Sequence, residues 1–259
     1  MPMHGDNARA QARIHSLNEA LDSGAISQVK RILNHGLAPA DIAHLLESSP
    51  PKIRSVLWEL LDKELEGEVL QDLTDEVRAF FINRMSAQEL VEVTADLDTD
   101  DQADLLQQLP QRVIQQVLRS MDAQHRQRVE SVLSYPEDSA GGLMNTDTVT
   151  VRPDITLDVV YRYLRRHRKL PEMTDNLLVI NRRDEFIGLL AINKLLVSDP
   201  NATVREVMTT DIQAIPADMA ENEVAKLFER HDWVSSPVVD DKGKLLGRIT
   251  IDDVVDVIR

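Results

Sequence analysis

Cysteine is absent from this 259-residue chain. That excludes a disulfide framework, zinc–thiolate and iron–sulfur sites, and a thiol nucleophile. Aromatic residues make up only 3%, so any core must be mainly aliphatic. No uninterrupted apolar run approaches the ~20 residues a bilayer-spanning helix needs. The opening Met1-Pro2-Met3-His4-Gly5-Asp6 lacks the basic and apolar stretches of a signal peptide, so the chain as it stands reads as soluble. Positive charge is scarce too. Lys and Arg number 29 against 44 Asp and Glu, a net charge of −15, which argues against nucleic acid as a partner because phosphates demand a basic face. No nucleophile elbow, phosphate loop or G-x-G-x-x-G occurs, and the seven histidines show no ligand spacing such as His-Glu-x-x-His. No enzyme is expected. What is present is a 42% hydrophobic content, enough for packed cores, a length suited to two or three domains, and an excess of carboxylates that points to a cation.

Residues 7–134 read as helix throughout, with Gly and Pro sparse and apolar residues at helical spacing. From residue 50 a twelve-residue repeat begins at Pro50, Asp62, Thr74, Ser86, Asp98, Pro110 and Asp122. The eighth positions are Leu57, Val69, Phe81, Val93, Leu105, Val117 and Val129, all apolar, and the last positions are all Leu or Met. The first positions carry residues suited to helix N-caps or first turns. A helix of about ten residues cannot bury its stripe alone, but stacked copies can, giving a superhelix over residues 1–134. An ordinary bundle with an accidental period is the alternative; seven segments in register favour the repeat.

Tyr135-Pro136-Glu137-Asp138-Ser139-Ala140-Gly141-Gly142 ends the pattern and marks a junction over residues 135–142. Beyond it lies a duplication. The stretch Leu143–Val151 aligns with Val207–Ile215, and Leu178-Val179-Ile180 with Gly188 aligns with Val238-Val239 and Gly247. The first copy carries about five more residues, placed near Arg165-Arg166-His167-Arg168-Lys169-Leu170-Pro171. Each copy, 143–202 and 203–259, reads strand, helix, strand, turn, strand, helix. In the second, the helix is expected at Glu221–His231, the strands at 236–239 and 245–251 across the turn Asp240-Asp241-Lys242-Gly243, and the last helix from Asp252-Asp253.

Val207-Met208 with Pro216, Ser236-Pro237-Val238-Val239-Asp240 and Gly247-Arg248-Ile249-Thr250-Ile251-Asp252-Asp253-Val254 resemble a tandem CBS pair. Together with the helical repeat and Ala140-Gly141-Gly142-Leu143-Met144, they resemble the cytosolic part of MgtE-type magnesium transporters over nearly the whole chain. The fold class this implies is an all-α superhelical domain followed by an α/β CBS pair. The resemblance implies a Mg²⁺-sensing regulatory region on the cytoplasmic side of the bacterial inner membrane, a homodimer formed through the CBS domains, and the family's transmembrane domain beyond Arg259.

Mg²⁺ takes oxygen ligands, keeps several waters and uses one or two carboxylates directly. Two acidic clusters suit it: Asp96, Asp98, Asp100, Asp101 and Asp104 in the repeat, and Asp252, Asp253 and Asp256 near the end, with Asp232 after the preceding helix. Asp98 and Asp252 read equally well as N-caps, and acidic first turns suit the helix dipole. Through the resemblance, Asp100, Asp104, Asp232, Asp253 and Asp256 are the expected Mg²⁺ ligands, bridging the helical and CBS domains when the pore is closed. Adenine-nucleotide binding, to ATP or ADP, is the competing use, as in a stand-alone CBS sensor. Its Ser/Thr-x-x-Asp element is present as Thr250-Ile251-Asp252-Asp253, with Thr250 and Asp253 as the binding pair; the first copy has Ala191-Ile192-Asn193-Lys194 instead.

Overall fold

The computed structural model describes residues 16–258, except Asn18, Asp22, Asp96 and residues 167–169 and the side chain of Asp256. Asp96 of the first acidic cluster, His167 and its two basic successors, His4 and His15 therefore lie outside the described residues.

The repeat is borne out helix by helix. Helices run Ile26–Gly36 (α1), Pro39–Ser48 (α2), Pro51–Leu60 (α3), Lys63–Asp72 (α4), Asp75–Ile82 (α5), Ala87–Thr94 (α6), Thr99–Gln107 (α7), Gln111–Ser120 (α8) and Ala123–Leu133 (α9). From α2 onward each begins twelve residues after the last, so the period starts one helix earlier than the sequence suggested. Ala38, the N-cap of α2, supplies no side-chain cap, which hid it. All seven eighth-position residues are buried. The joints are short because the last apolar residue and the next cap are both extended. Leu61 and Asp62 have ψ of 140° and 138°, and Met121 and Asp122 of 153° and 160°. At these joints Leu61, Leu73, Leu109 and Met121 turn their side chains into the core. Some caps are explicit: Ser86 and Glu89 close a capping box, and the Asp122 carboxylate accepts from the amides of Gln124 and His125.

Helix C-termini leave carbonyls unsatisfied, and here arginines serve them. Arg54 donates to the carbonyls of Leu46, Glu47 and Ser49. Arg78, two repeats on, donates to those of Leu70, Gln71 and Leu73. Each reaches back to the end of the preceding helix.

By packing, the chain forms two compact units. One takes the residues up to Leu97 and Leu105–Met121; the other takes Asp98–Asp104 with Asp122–Arg259. In the first unit alternate helices pack on each other: α2 on α4, α4 on α6, α6 on α8. Trp58 stacks on Phe81 there, with centroids 4.2 Å apart.

The second unit holds two three-stranded sheets of one design. In the first, Thr150–Val151 (β1) is parallel to Asn176–Ile180 (β2), which is antiparallel to Phe186–Ala191 (β3). In the second, Ile215–Pro216 (β4), Ser235–Val239 (β5) and Leu245–Thr250 (β6) repeat the order, with a register shift at the equivalent place. Helices Leu157–Arg166 (α10), Ile192–Val197 (α11) and Val204–Val207 (α12) accompany the first; Glu221–His231 (α13) and Ile251–Ile258 (α14) accompany the second. The extra residues of the first copy lie between α10 and β2, as expected.

Each sheet is completed by the start of the other copy. Leu189 exchanges backbone hydrogen bonds with Thr209, and Arg248 exchanges them with Asn145. Glycine is required at both crossings: a Cβ on Gly188 would sit 2.5 Å from the Thr209 carbonyl oxygen, and one on Gly247 would sit 2.6 Å from that of Asn145. The Gly141-Gly142 junction is no loose loop. Both glycines are buried, and the amides of Ala140 and Gly141 donate to Met219 and Ala217. The second copy's core of Met144, Ile215, Val224, Phe228, Val238, Ile249 and Val254 also takes in Ala103 and Val132. The acidic start of α7 is thereby anchored within this unit by an apolar residue in its own second turn.

Candidate metal centre

Two helix starts carry the acidic residues. One is α7, with Asp100 and Asp101 in its first turn. The other is α14, with Asp252 and Asp253. Both positions are favoured by the dipole, so the local fold accepts these carboxylates before any ligand is considered.

Asp100 is only 5% exposed, and its Oδ1 is buried with no hydrogen-bond partner. Burial pushes its carboxyl well above the usual range, and the charges of Asp253, Asp101 and Asp98 push the same way. Asp253 is half-buried. Its Oδ2 accepts from the Thr250 amide at 3.0 Å and hydroxyl at 2.9 Å. Burial, and the neighbouring charge of Asp252, nevertheless raise it to about 6. The Asp100 side chain works the other way on Asp253, holding it down.

Around this pair lies a second, better compensated layer. Burial raises Asp98, but the Arg248 guanidinium and the Asn145 side chain lower it. The Thr250 hydroxyl also contacts Asp252 Oδ1. Thr99 and Thr146 meet through their hydroxyls at 3.1 Å. Among the described residues His125 bonds the buried Gln102 at 2.7 Å.

The structure thus brings Asp100 and Asp253 together. Asp104 is one turn further along α7 and half-buried. Asp232 is exposed and ends α13 in a left-handed conformation, φ 50°, where aspartate is better tolerated than most residues. The backbone of Asp256 continues α14, and its side chain lies outside the description. Asp98 was named in the acidic cluster, but that Arg248 and Asn145 act on its carboxyl is what sequence reasoning missed. No local signal marks that influence, because Asp98, Asn145 and Arg248 lie far apart in the chain.

Among the described residues no group of three or more His, Asp or Glu is placed to hold a metal ion. An orphaned, buried carboxylate oxygen beside a second carboxylate still fits a hard, hydrated cation such as Mg²⁺, which needs few direct protein ligands.

Comparison with known proteins agrees with the architecture. The MgtE intracellular N domain matches residues 37–138, and the CBS domain matches 140–198 and 204–259. The crystal structure of the cytosolic domain of the Mg²⁺ channel MgtE in complex with ATP is 33% identical and superposes with a TM-score of 0.86, covering 94% of this chain and 99% of that one. The chain belongs to the MgtE family. Within that family, the magnesium transporter MgtE of Thermus thermophilus is 33% identical over 246 residues, 94% of this chain and 54% of its own length. The MgtE of Bacillus subtilis is 28% identical over 238 residues, 92% and 52%. The chain therefore spans about half the length of these MgtE relatives, as their N domain and CBS pair. No described helix is long and apolar enough to cross a membrane.

Proposed function

We propose that this chain is the Mg²⁺-sensing regulatory region of a magnesium transporter, lying on the cytoplasmic side of the membrane and acting without catalysis. The observation that carries the reading is the unpartnered, buried Oδ1 of Asp100 beside Asp253. Asp100 and Asp253 would hold Mg²⁺ directly, with waters completing its shell. Asp104, Asp232 and Asp256 would extend the acidic face, through water or directly. Bound Mg²⁺ would cancel the repulsion between the carboxylates of α7 and α14. Binding favours whichever state holds these helix starts together, in proportion to its differential affinity. In the complete transporter that state would be the one with the pore closed. The helical domain at 1–134 and the CBS copies at 143–202 and 203–259 are the parts such a switch would join.

Exposed apolar residues on three CBS helices support a homodimer: Val159 and Tyr163, Leu196 and Val197, Val255 and Ile258. Thr250 and Asp253 are joined by hydrogen bonds, and a similar protein was crystallised with ATP; nucleotide binding at this pair is the second reading.

Calorimetric titration with Mg²⁺ tests the first. Binding is expected at millimolar concentration, with a smaller scattering radius and less protease cleavage, and all three responses should be lost in Asp253→Asn. Unchanged heat, radius and cleavage would refute it. Titration with ATP tests the second.

A further inference from the structure

The fifth positions of the twelve-residue repeat fall into two alternating series. Arg54 and Arg78 reach back to carbonyls of the preceding helix. In the alternate repeats Leu90 and Ile114 are buried, 1% and 8% exposed. Glu66 belongs to this second series and puts a carboxylate where its equivalents put buried aliphatic side chains. It cannot do the arginines' work, because an ionised carboxylate has no proton to donate. Burial pushes its carboxyl above the usual range, against the pull of Lys63. The repeat gives no structural reason for an acid here.

Beside Glu66 the first unit holds a cavity of about 350 Å³, lined from α3 to α6, within the size range of ligand pockets. Part of its wall is apolar: the stacked pair of Trp58 and Phe81, with Met85 and Val93. Most of the charges around it are already engaged. Lys63 faces Glu92 at 3.5 Å, the Arg84 guanidinium lies 3.6 Å from the Phe80 ring centre, and Glu89 accepts from the Ser86 amide at 2.8 Å. Glu59 and Glu66 have no hydrogen bond or ion pair among the described residues. The charge left unmatched at the cavity is therefore negative. Mg²⁺ suits it poorly, because aromatic and thioether walls offer no oxygen ligands. An ammonium group on a hydrocarbon stem suits both kinds of wall. Carboxylates bind the head through charged hydrogen bonds, and aromatic faces attract the cation while covering its stem.

We propose that this cavity is a binding site for a small organic amine, with Glu66 and Glu59 holding the ammonium group and Trp58, Phe81 and Met85 covering the stem. The site lies wholly in the helical unit and stands or falls independently of the Mg²⁺ reading.

The test is a calorimetric titration of the chain with putrescine at constant ionic strength. It is repeated by fluorescence in Trp233→Phe, where Trp58 is the only tryptophan left. Saturable binding of one amine per chain is expected, with a change in Trp58 emission. Glu66→Gln should weaken it at least ~10-fold, as for loss of a charged hydrogen-bond partner. Glu66→Leu restores the apolar series, so it should fold with an equal or higher thermal midpoint and abolish binding. Asp253→Asn should leave amine affinity unchanged. The proposal is overturned if putrescine gives no saturable response, or if Glu66→Gln and Glu66→Leu bind it as the wild type does. It is also overturned if sodium or magnesium chloride at equal ionic strength reproduces the Trp58 change, which would make it charge screening. A response to inorganic phosphate in place of the amine would overturn it too, by assigning the cavity to Lys63 and Arg84.

Discussion

The two CBS copies share a backbone plan and differ in charge. Both have a parallel strand pair followed by an antiparallel one, the same register shift, and a glycine crossing against the other copy's first residues. Yet where the second copy has Thr250, Asp252 and Asp253, the first has Ala191, Asn193 and Lys194. Lys194 donates to the Thr209 hydroxyl at 2.9 Å on an exposed surface; Asp253 is half-buried and lies close enough to the buried Asp100 to raise its carboxyl. The shared residues carry the fold, and the unshared ones carry the chemistry. Duplication keeps the first kind and leaves the second free to diverge.

The largest effects should come where the copies agree. Gly188→Ala and Gly247→Ala each force a Cβ to within 2.5–2.6 Å of a carbonyl oxygen. Each is expected to cost about 2–4 kcal/mol in urea unfolding. Strongly unequal losses would break the equivalence.

Next is Asp253→Lys, which installs the first copy's residue in the second. It should weaken Mg²⁺ binding at least ~10-fold, about 1.4 kcal/mol, as read by calorimetry. Unchanged affinity would make Asp253 a helix-capping residue only.

The pH response follows from the same pair. The Asp253 carboxyl is raised to about 6 in the folded chain, above its unfolded value near ~3.9. The folded state therefore binds that proton more tightly. Without divalent cations, stability should rise as pH falls from above 6 towards 4, by on the order of 1–2 kcal/mol, with Asp100 contributing in the same direction. Mg²⁺ should flatten the slope above pH 6, and its affinity should fall as pH drops through 6. Thermal midpoints at pH 5 and 7.5, with and without Mg²⁺, measure both.

The smallest effect is expected for Lys194→Asp. It gives the first copy an acid at the matching place, but loses only an exposed hydrogen bond, ~0.5 kcal/mol or less. It should create no Mg²⁺ site, because nothing there corresponds to Asp100. A new site would show that one helix start is enough.

Local patterns were legible in the sequence. The buried eighth positions, the polar residues at helix starts, the Glu221–His231 helix and the Asp240–Gly243 turn all follow from spacing and residue type. What depends on distant approach was not. Gly141-Gly142 reads as a breaker, though its function is to let Tyr135 and the Pro136 carbonyl lie against the backbone. Arg54 and Arg78 carry no local signal of their role, because the carbonyls they serve belong to another helix. Of the acidic candidates, Asp100 and Asp253 could be chosen by resemblance, but what lowers Asp98 is Arg248 and Asn145, which no spacing links to it.

The crossing of Asn145 with Arg248 also sets an order of events during synthesis. The first residues of the CBS pair, at Asn145, cannot take up their hydrogen bonds until the pair's last strand, at Arg248, has been made. Helices whose partners lie one or two repeats away can pack as they emerge, whereas this unit must wait for its own far end. The acidic start of α7 waits with it, so the proposed cation site would be assembled late, after most of the helices around it.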